Sequence, residues 1–281
     1  MQGYLKKIPK QIWFLWFQGY EKAPLVVKKC FESWKSKNPD WKINFLCKDN
    51  LNEYIELNLQ DDCKLARLGK AHQSDLVRLK LLSKYGGVWI DSTCFCVNPL
   101  DNWLEENIDS GFFAFRNPGR DRVMSNWFLA AEKDSIITSN LYQELINYWY
   151  NNNLSNQGKT TIIKALNKVL NRNDYATVTT RLWFSPIVTK FLKVYPHFVF
   201  HYKFLALVKK NSLCKEIWLN TPEISSESPH KVLHSDMSKP ITEEIKQEID
   251  YQTATLYKLN WKRMPKSIAA GSKIDYLFES I

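Results

Sequence analysis

The stretch Ala71-His72-Gln73-Ser74-Asp75-Leu76-Val77-Arg78, followed by Tyr85-Gly86-Gly87-Val88-Trp89-Ile90-Asp91-Ser92-Thr93, decides the fold. It reads as a helix carrying two opposite charges, a glycine turn, and an apolar strand that stops at a carboxylate. The helix, expected to begin near Gln73, places Leu76, Leu79 and Leu82 on one face, which Val77 and Leu81 broaden. Asp75 and Arg78 lie together elsewhere on it. Gly86-Gly87 ends the helix, because glycine adopts the left-handed conformation of a helix stop at little cost. The turn drops the chain into Val88-Trp89-Ile90, so that Asp91 emerges beside the helix bearing Asp75. An acid at the end of a buried strand can hold a divalent cation, and an Arg one helical turn from an Asp can contact phosphate and sugar hydroxyls together. The expected ligand is a sugar nucleotide.

Working outward, Gln11 to Phe17 is a short apolar-aromatic run after Pro9 that suits a buried parallel strand. In Pro24 to Lys37 the residues Val26, Val27, Cys30, Phe31 and Trp34 are spaced as one helical face, and Asn38-Pro39 stops it. A strand at Lys42 to Cys47 follows. Strand, helix, strand, helix with short connections predicts an α/β layered fold, in which ligands bind where strands present their C-terminal ends. Asp91 sits at such an end. Beyond it the pattern predicts a strand from Thr93 to Val97 and helices at Leu141 to Tyr150 and Thr161 to Leu170. The polar stretches Asn151 to Thr161 and Glu223 to His230 read as exposed loops, and neither is long enough to separate independent units. A chain of 281 residues with 44% hydrophobic content buries one sizeable core, so a single domain over residues 1–281 is expected.

The net charge of +10 means that the average surface attracts anions, among them nucleic acid, acidic lipid and phosphorylated small molecules. No recognised nucleic-acid module accompanies the charge, so nucleic acid is not an expected partner. Eleven Trp, 13 Tyr and 15 Phe suit sugar stacking and membrane-interface contact, although a core takes most of them. The basic balance and the surplus aromatics together fit docking on an anionic membrane surface. Six cysteines, Cys30, Cys47, Cys63, Cys94, Cys96 and Cys214, show neither a CxxC pair nor zinc-site spacing and read as reduced thiols. Lys6, Lys7, Pro9 and Lys10 stand where a signal peptide needs its apolar stretch, and no apolar run approaches the ~20 residues of a membrane span. A cytoplasmic protein is expected, one that is at most peripheral at the inner face of the cell membrane. Gly158-Lys159-Thr160 resembles the end of a phosphate-binding loop, but Asn153 stands where the first glycine is needed. Zinc-protease and serine-hydrolase motifs are also missing from the sequence.

The order Ser-Asp-x-x-Arg followed by Gly-Gly-x-Trp-x-Asp resembles bacterial capsular-polysaccharide glycosyltransferases, which are similar to the glucosylating domains of large bacterial toxins and to sugar transferases of the DxD type. Ile8 to Trp13, Trp16 to Gly19, Ser33-Trp34, Asn38 to Trp41 and Lys258 to Lys262 extend the resemblance over most of the chain. It implies a GT-A-like, Rossmann-like mixed sheet flanked by helices. It also implies retaining transfer of a hexose from a UDP-sugar to a saccharide acceptor on a lipid carrier, in capsule or surface-polysaccharide synthesis, with Mn²⁺ or Mg²⁺ as cofactor.

The same resemblance assigns roles. Asp91 is the metal ligand and, with Asp75 and Arg78, catalytic. Asp75 and Arg78 contact the donor sugar, Arg78 also approaches the diphosphate, and Ser74, Trp89 and Thr93 belong to the donor-binding set. Trp16 stacks on the base, Asn126 lies near the sugars, and Lys258, Trp261 and Lys262 form a flap over the donor phosphates. Thr93 stands where the toxin-like pattern has a second carboxylate, which leaves one Asp for the cation. Plainer alternatives exist for several: a surface Asp75-Arg78 pair worth a few tenths of a kcal/mol, a core role for Trp16, and an ordinary loop at Ser125-Asn126-Trp127. A catalytically silent sugar-nucleotide-binding protein is the rival function.

Overall fold

The computed structural model describes residues 8–59, 61–171 and 176–281. Lys6 and Lys7 lie outside them. In chain order the elements are β1 (Gln11–Leu15), α1 (Leu25–Lys37), β2 (Lys42–Leu46), α2 (Lys70–Tyr85), β3 (Gly87–Asp91), β4 (Cys94–Cys96), β5 (Phe112–Gly119), β6 (Arg122–Ala131), α3 (Ile136–Asn151) and α4 (Thr160–Leu170). There follow α5 (Ala176–Thr179), α6 (Val199–Lys210), α7 (Ser212–Leu219), α8 (Glu227–His234), α9 (Glu243–Asp250), β7 (Leu256–Lys258) and α10 (Lys273–Glu279).

Among the described residues, five strands form a mixed sheet in the order β2-β1-β3-β6-β5. β1 runs parallel to both β2 and β3, whereas β6 is antiparallel to β3 and to β5. Alternation along β1 sends Ile12 and Phe14 to one face and Trp13 and Leu15 to the other. Both faces are covered, which is why the strand is apolar from Ile12 to Leu15. The Ile12 face packs on Val26, Val27, Cys30 and Trp34 of α1, and on residues of β4, β7, α8 and α10. The Trp13 face packs on Leu76, Leu79 and Leu82 of α2, and on α3 and α6. This is the α/β layered architecture that the residue pattern predicted, with the mixed sheet that the resemblance implied.

The glycine turn between α2 and β3 is built by contact as well as by conformation. Gly86 has φ +66 and Gly87 φ +93. A Cβ on Gly86 would lie 2.6 Å from the backbone nitrogen of Lys133, and one on Gly87 would lie 2.5 Å from the backbone oxygen of Gln11. The Trp13 indole N–H donates to Gly86 O at 2.9 Å, and the Gln11 amide donates to Tyr85 O at 2.8 Å. The turn is thereby pinned to β1, and Asp91 is delivered level with Leu15.

Several local expectations are corrected. α2 begins at Lys70, three residues ahead of the expected start, because Gly69 O accepts the first helical bond from Gln73 N at 3.1 Å. Asp75 therefore sits in the second turn, beyond the reach of the helix N-terminal dipole. α2 has no solvated polar face at this point: Asp75 and Arg78 are both buried. Ser125-Asn126-Trp127 is not a loop but lies within β6, in a stretch where the pairing with β5 is irregular. Glu223 to His230 is only partly a loop, since α8 begins at Glu227, and a proline in the first turn of a helix forfeits no helical hydrogen bond. The aromatic surplus is interior: Trp13, Trp34, Trp89 and Trp183 are among the largest fully buried side chains.

Candidate active site

Arg78 is the centre of the site. Its guanidinium is 3.2 Å from Asp75 Oδ1 and 3.5 Å from Asp91 Oδ1, both through Nη2. Nη2 also donates to Ser74 Oγ at 3.2 Å, Nε donates to Ser74 O at 3.3 Å, and Nη1 donates to the Asn126 carbonyl. The plane lies against the Trp89 ring, 5.0 Å from its centroid, and faces Phe200 at 5.7 Å. One side chain thus ties α2 to β3 and β6. It is placed to hold Asp75 and Asp91, and it also lines the cleft.

The two acids differ in environment. Asp75 is buried; its Oδ1 accepts from the Asn126 amide at 3.0 Å, and its Oδ2 lies 3.7 Å from His72 Nδ1. The irregular pairing of β6 accounts for Asn126, because a bulge re-aims side chains that a regular ladder would send elsewhere. Asp91 is 28% exposed and opens on the cleft. Its Oδ1 accepts from the Trp89 indole at 3.0 Å, and its Oδ2 lies 3.8 Å from Lys258 Nζ. Lys258 is brought there by β7, which pairs antiparallel with β4 so that Cys94 faces Lys258. Its ammonium also donates to the Thr93 hydroxyl, which is buried.

These groups line or border a cleft of about 400 Å³ at the C-terminal ends of β1 and β3. Trp16, just past β1, forms one wall, and its indole N–H has no hydrogen-bond partner among the described residues. Trp261 meets it edge-on, with ring centroids 5.9 Å apart. Ser74, Asp75, Arg78, Trp89, Asp91 and Asn126 complete the part of the lining expected from the sequence. Thr93 lies behind the wall, tied to Lys258. Lys262 is exposed and stands at the rim rather than in the lining, with its Nζ 5.4 Å from the centroid of the Trp261 ring and its charge reaching His197.

The opposite wall was not anticipated. His197, Phe198 and His201 line it, from the segment leading into α6. His201 titrates well below the usual histidine range, chiefly because burial removes it from water and further because Arg122, Arg78 and His197 place positive charge nearby. Its Nδ1 has no hydrogen-bond partner among the described residues. His197 is also lowered, by desolvation first and then by His72. Both imidazoles are therefore neutral at pH 7 and offer a donor and an acceptor rather than charge.

As a cation site, the cleft offers one open carboxylate. Among the described residues no group of three His, Cys, Asp or Glu is placed to hold a metal. Mg²⁺ and Mn²⁺ commonly accept one or two carboxylates and complete their shells with water and phosphate oxygens, so Asp91 Oδ2 fits that habit. Lys258 competes for the same oxygen.

A family model described as capsular polysaccharide synthesis protein matches residues 2–157. Among curated proteins, the chain is 30% identical over 144 residues to O-glycosyltransferase braB of Annulohypoxylon truncatum, covering 44% of this chain and 34% of that protein. It is 26% identical over 158 residues to the probable glycosyltransferase FCK3 of Fusarium pseudograminearum (strain CS3096), covering 50% and 39%. With the uncharacterized glycosyltransferase L373 of Acanthamoeba polyphaga mimivirus it shares 25% identity over 176 residues, covering 53% and 68%. The match thus spans little more than a third of the length of the two fungal relatives. Among solved structures, the UDP-bound glycosyltransferase domain of the YGT toxin aligns over 92% of this chain and 88% of its own, at TM-score 0.43 and 10% identity. The PaToxG glycosyltransferase aligns over 97% and 85%, at TM-score 0.37 and 15% identity. The family match takes in Trp16, Ser74, Asp75, Arg78, Trp89, Asp91, Thr93 and Asn126. His197, His201, Lys258 and Trp261 fall beyond it.

Proposed function

The chain belongs to the capsular polysaccharide synthesis protein family, and on that premise we propose that it is a glycosyltransferase whose cleft takes a UDP-sugar and passes the hexose, with retention, to a saccharide hydroxyl. The observation that supports this best is the convergence of Asp75, Arg78 and Asp91 on one cleft walled by Trp16. A nucleotide base would stack on the ring of Trp16, which lines the cleft. Asp75 and the Asn126 amide, fixed to each other, would receive sugar hydroxyls. Lys258, held by Thr93, supplies a positioned positive charge where a diphosphate departs, and such preorganised charge lowers the barrier to transfer. Asp91 is the residue that would hold Mn²⁺ or Mg²⁺, and the ion would supply further neutralisation of the leaving diphosphate. The proposed acceptor is a capsule or surface-polysaccharide unit on a lipid carrier.

Screening UDP- and GDP-sugars for hydrolysis, with and without Mn²⁺, tests this reading. A UDP-hexose is expected to be hydrolysed, and Asp91→Asn to lower the rate at least ~10-fold, about 1.4 kcal/mol of barrier. Equal turnover in parent and variant would remove Asp91 from the chemistry.

A second reading, a silent sugar-nucleotide-binding protein, draws on the Thr93 hydroxyl at the second acidic position and on the Lys258 ammonium already facing Asp91. Tight UDP binding with no turnover of any sugar donor would select it.

A further inference from the structure

The segment between the α3–α4 loop and α6 builds a small lobe with its own interior, in which Leu170, Trp183, Val188, Val194 and Tyr202 are buried together. Its outer side is unusual. Ile162 and Val169, two turns apart on one face of α4, are exposed, and so are Leu182, Ile187 and Phe191 on the two helical turns Thr180–Phe184 and Ile187–Leu192. Val169 and Ile187 are each 68% exposed and Phe191 is 82% exposed. Scattered surface leucines need no explanation, but large apolar side chains gathered on adjoining elements mark a contact surface.

The charges that these two described stretches carry are of one sign. Lys164, Lys168, Arg181, Lys190 and Lys193 are all exposed, and residues 159–171 and 176–193 contain no Asp or Glu in a chain that has 29. Asp174 and Arg172 fall among residues 172–175, outside the described ones. Bulky apolar side chains on elements whose own charges are all cationic match a surface that is anionic above and hydrocarbon below.

We propose that this lobe is an interfacial docking surface for an anionic bilayer. Phe191, Ile187 and Val169 enter the acyl boundary while the lysines and Arg181 meet the headgroups. The chain runs from the lobe directly into His197, Phe198 and His201, so the docking surface and that wall of the cleft belong to one continuous segment. The inference concerns a surface separate from the cleft and stands whether or not the cleft transfers sugar.

Flotation of the full chain with vesicles tests it. The parent is expected to float with phosphatidylcholine vesicles that contain phosphatidylglycerol, and not with phosphatidylcholine alone. Ile187→Asp with Phe191→Asp is expected to lower the bound-to-free ratio about tenfold or more, and Lys164→Glu with Lys168→Glu to lower it and weaken its salt dependence. An unchanged melting temperature establishes that both variants are folded. Failure of the folded parent to float, or equal flotation by the aspartate variant, overturns the proposal. So does a parent that ignores vesicles but elutes as a dimer that the aspartate pair dissolves, because the lobe then contacts a second copy. Donor hydrolysis, assayed separately without lipid, reports on the cleft alone.

Discussion

Replacing Arg78 by methionine keeps much of the aliphatic stem against Trp89 and Phe200 and deletes only the guanidinium. Asp75 then remains buried without the cation 3.2 Å away, and the Asn126 carbonyl loses its donor. Side chains of both partners are at most 10% exposed, so little solvent screening applies. Breaking a buried pair by removing one partner costs about 3–5 kcal/mol. Here the lower end applies, about 3 kcal/mol, because the Asn126 amide still donates to Asp75. The Asp91 contact adds little, since that carboxylate opens on the cleft and water replaces the lost partner. Urea unfolding of parent, Arg78→Met, Asp75→Asn and the double variant measures the coupling. The double variant is expected to recover about 1–3 kcal/mol relative to the sum of the singles, with an unchanged denaturant slope. A loss under about 1 kcal/mol in Arg78→Met, or additive singles, would mean that the pair is solvated and does not organise the site.

Gly87→Ala forces a Cβ against the Gln11 backbone at φ +93, so it is expected to lower stability by about 2–3 kcal/mol, read as a drop in melting temperature. Trp16→Ala should weaken UDP binding by about 1–3 kcal/mol in calorimetry, and an unaltered affinity would take Trp16 out of the site. His201 titrates near 6.5 when unfolded and well below that when folded, so between the two values the unfolded chain holds the extra proton. The stability is therefore complete above about pH 6.5 and is lost as the pH falls toward the folded value; His201→Phe should flatten that decline in thermal melts, and a parent melting temperature independent of pH in this range would contradict it.

The parallel strands β1 to β3 and the first four helices could be read from the sequence because they carry local patterns, such as continuous apolar runs in β1 and β3 and helical spacing in α1 and α2; the antiparallel strands β5 and β6 were not read. The acid-arginine-acid cluster was equally legible, since one helix and the strand after it supply all three members. Asn126 was harder, because Ser125-Asn126-Trp127 interrupts the apolar alternation at an irregular part of β6. The role of Lys258 depends on β4 finding β7 across more than 150 residues, a pairing that neither short strand announces. His197 and His201 reach the cleft through the packing of the lobe and α6, and nothing in their immediate neighbours distinguishes them from core histidines. The net charge pointed toward anions in general, and only the coordinates separate a lysine beside the carboxylates from the cations gathered on the lobe.

The pairing of β4 with β7 also orders events during translation. Thr93 waits for a partner 165 residues downstream, while the parallel strands and α2 leave the ribosome early and can pack on one another. A nascent polypeptide stalled ahead of residue 258 would present a shaped hollow without its fixed ammonium or its second tryptophan. The electrostatics of the hollow are complete only once residue 261 has been made, which postpones any strong hold on a phosphorylated ligand until then.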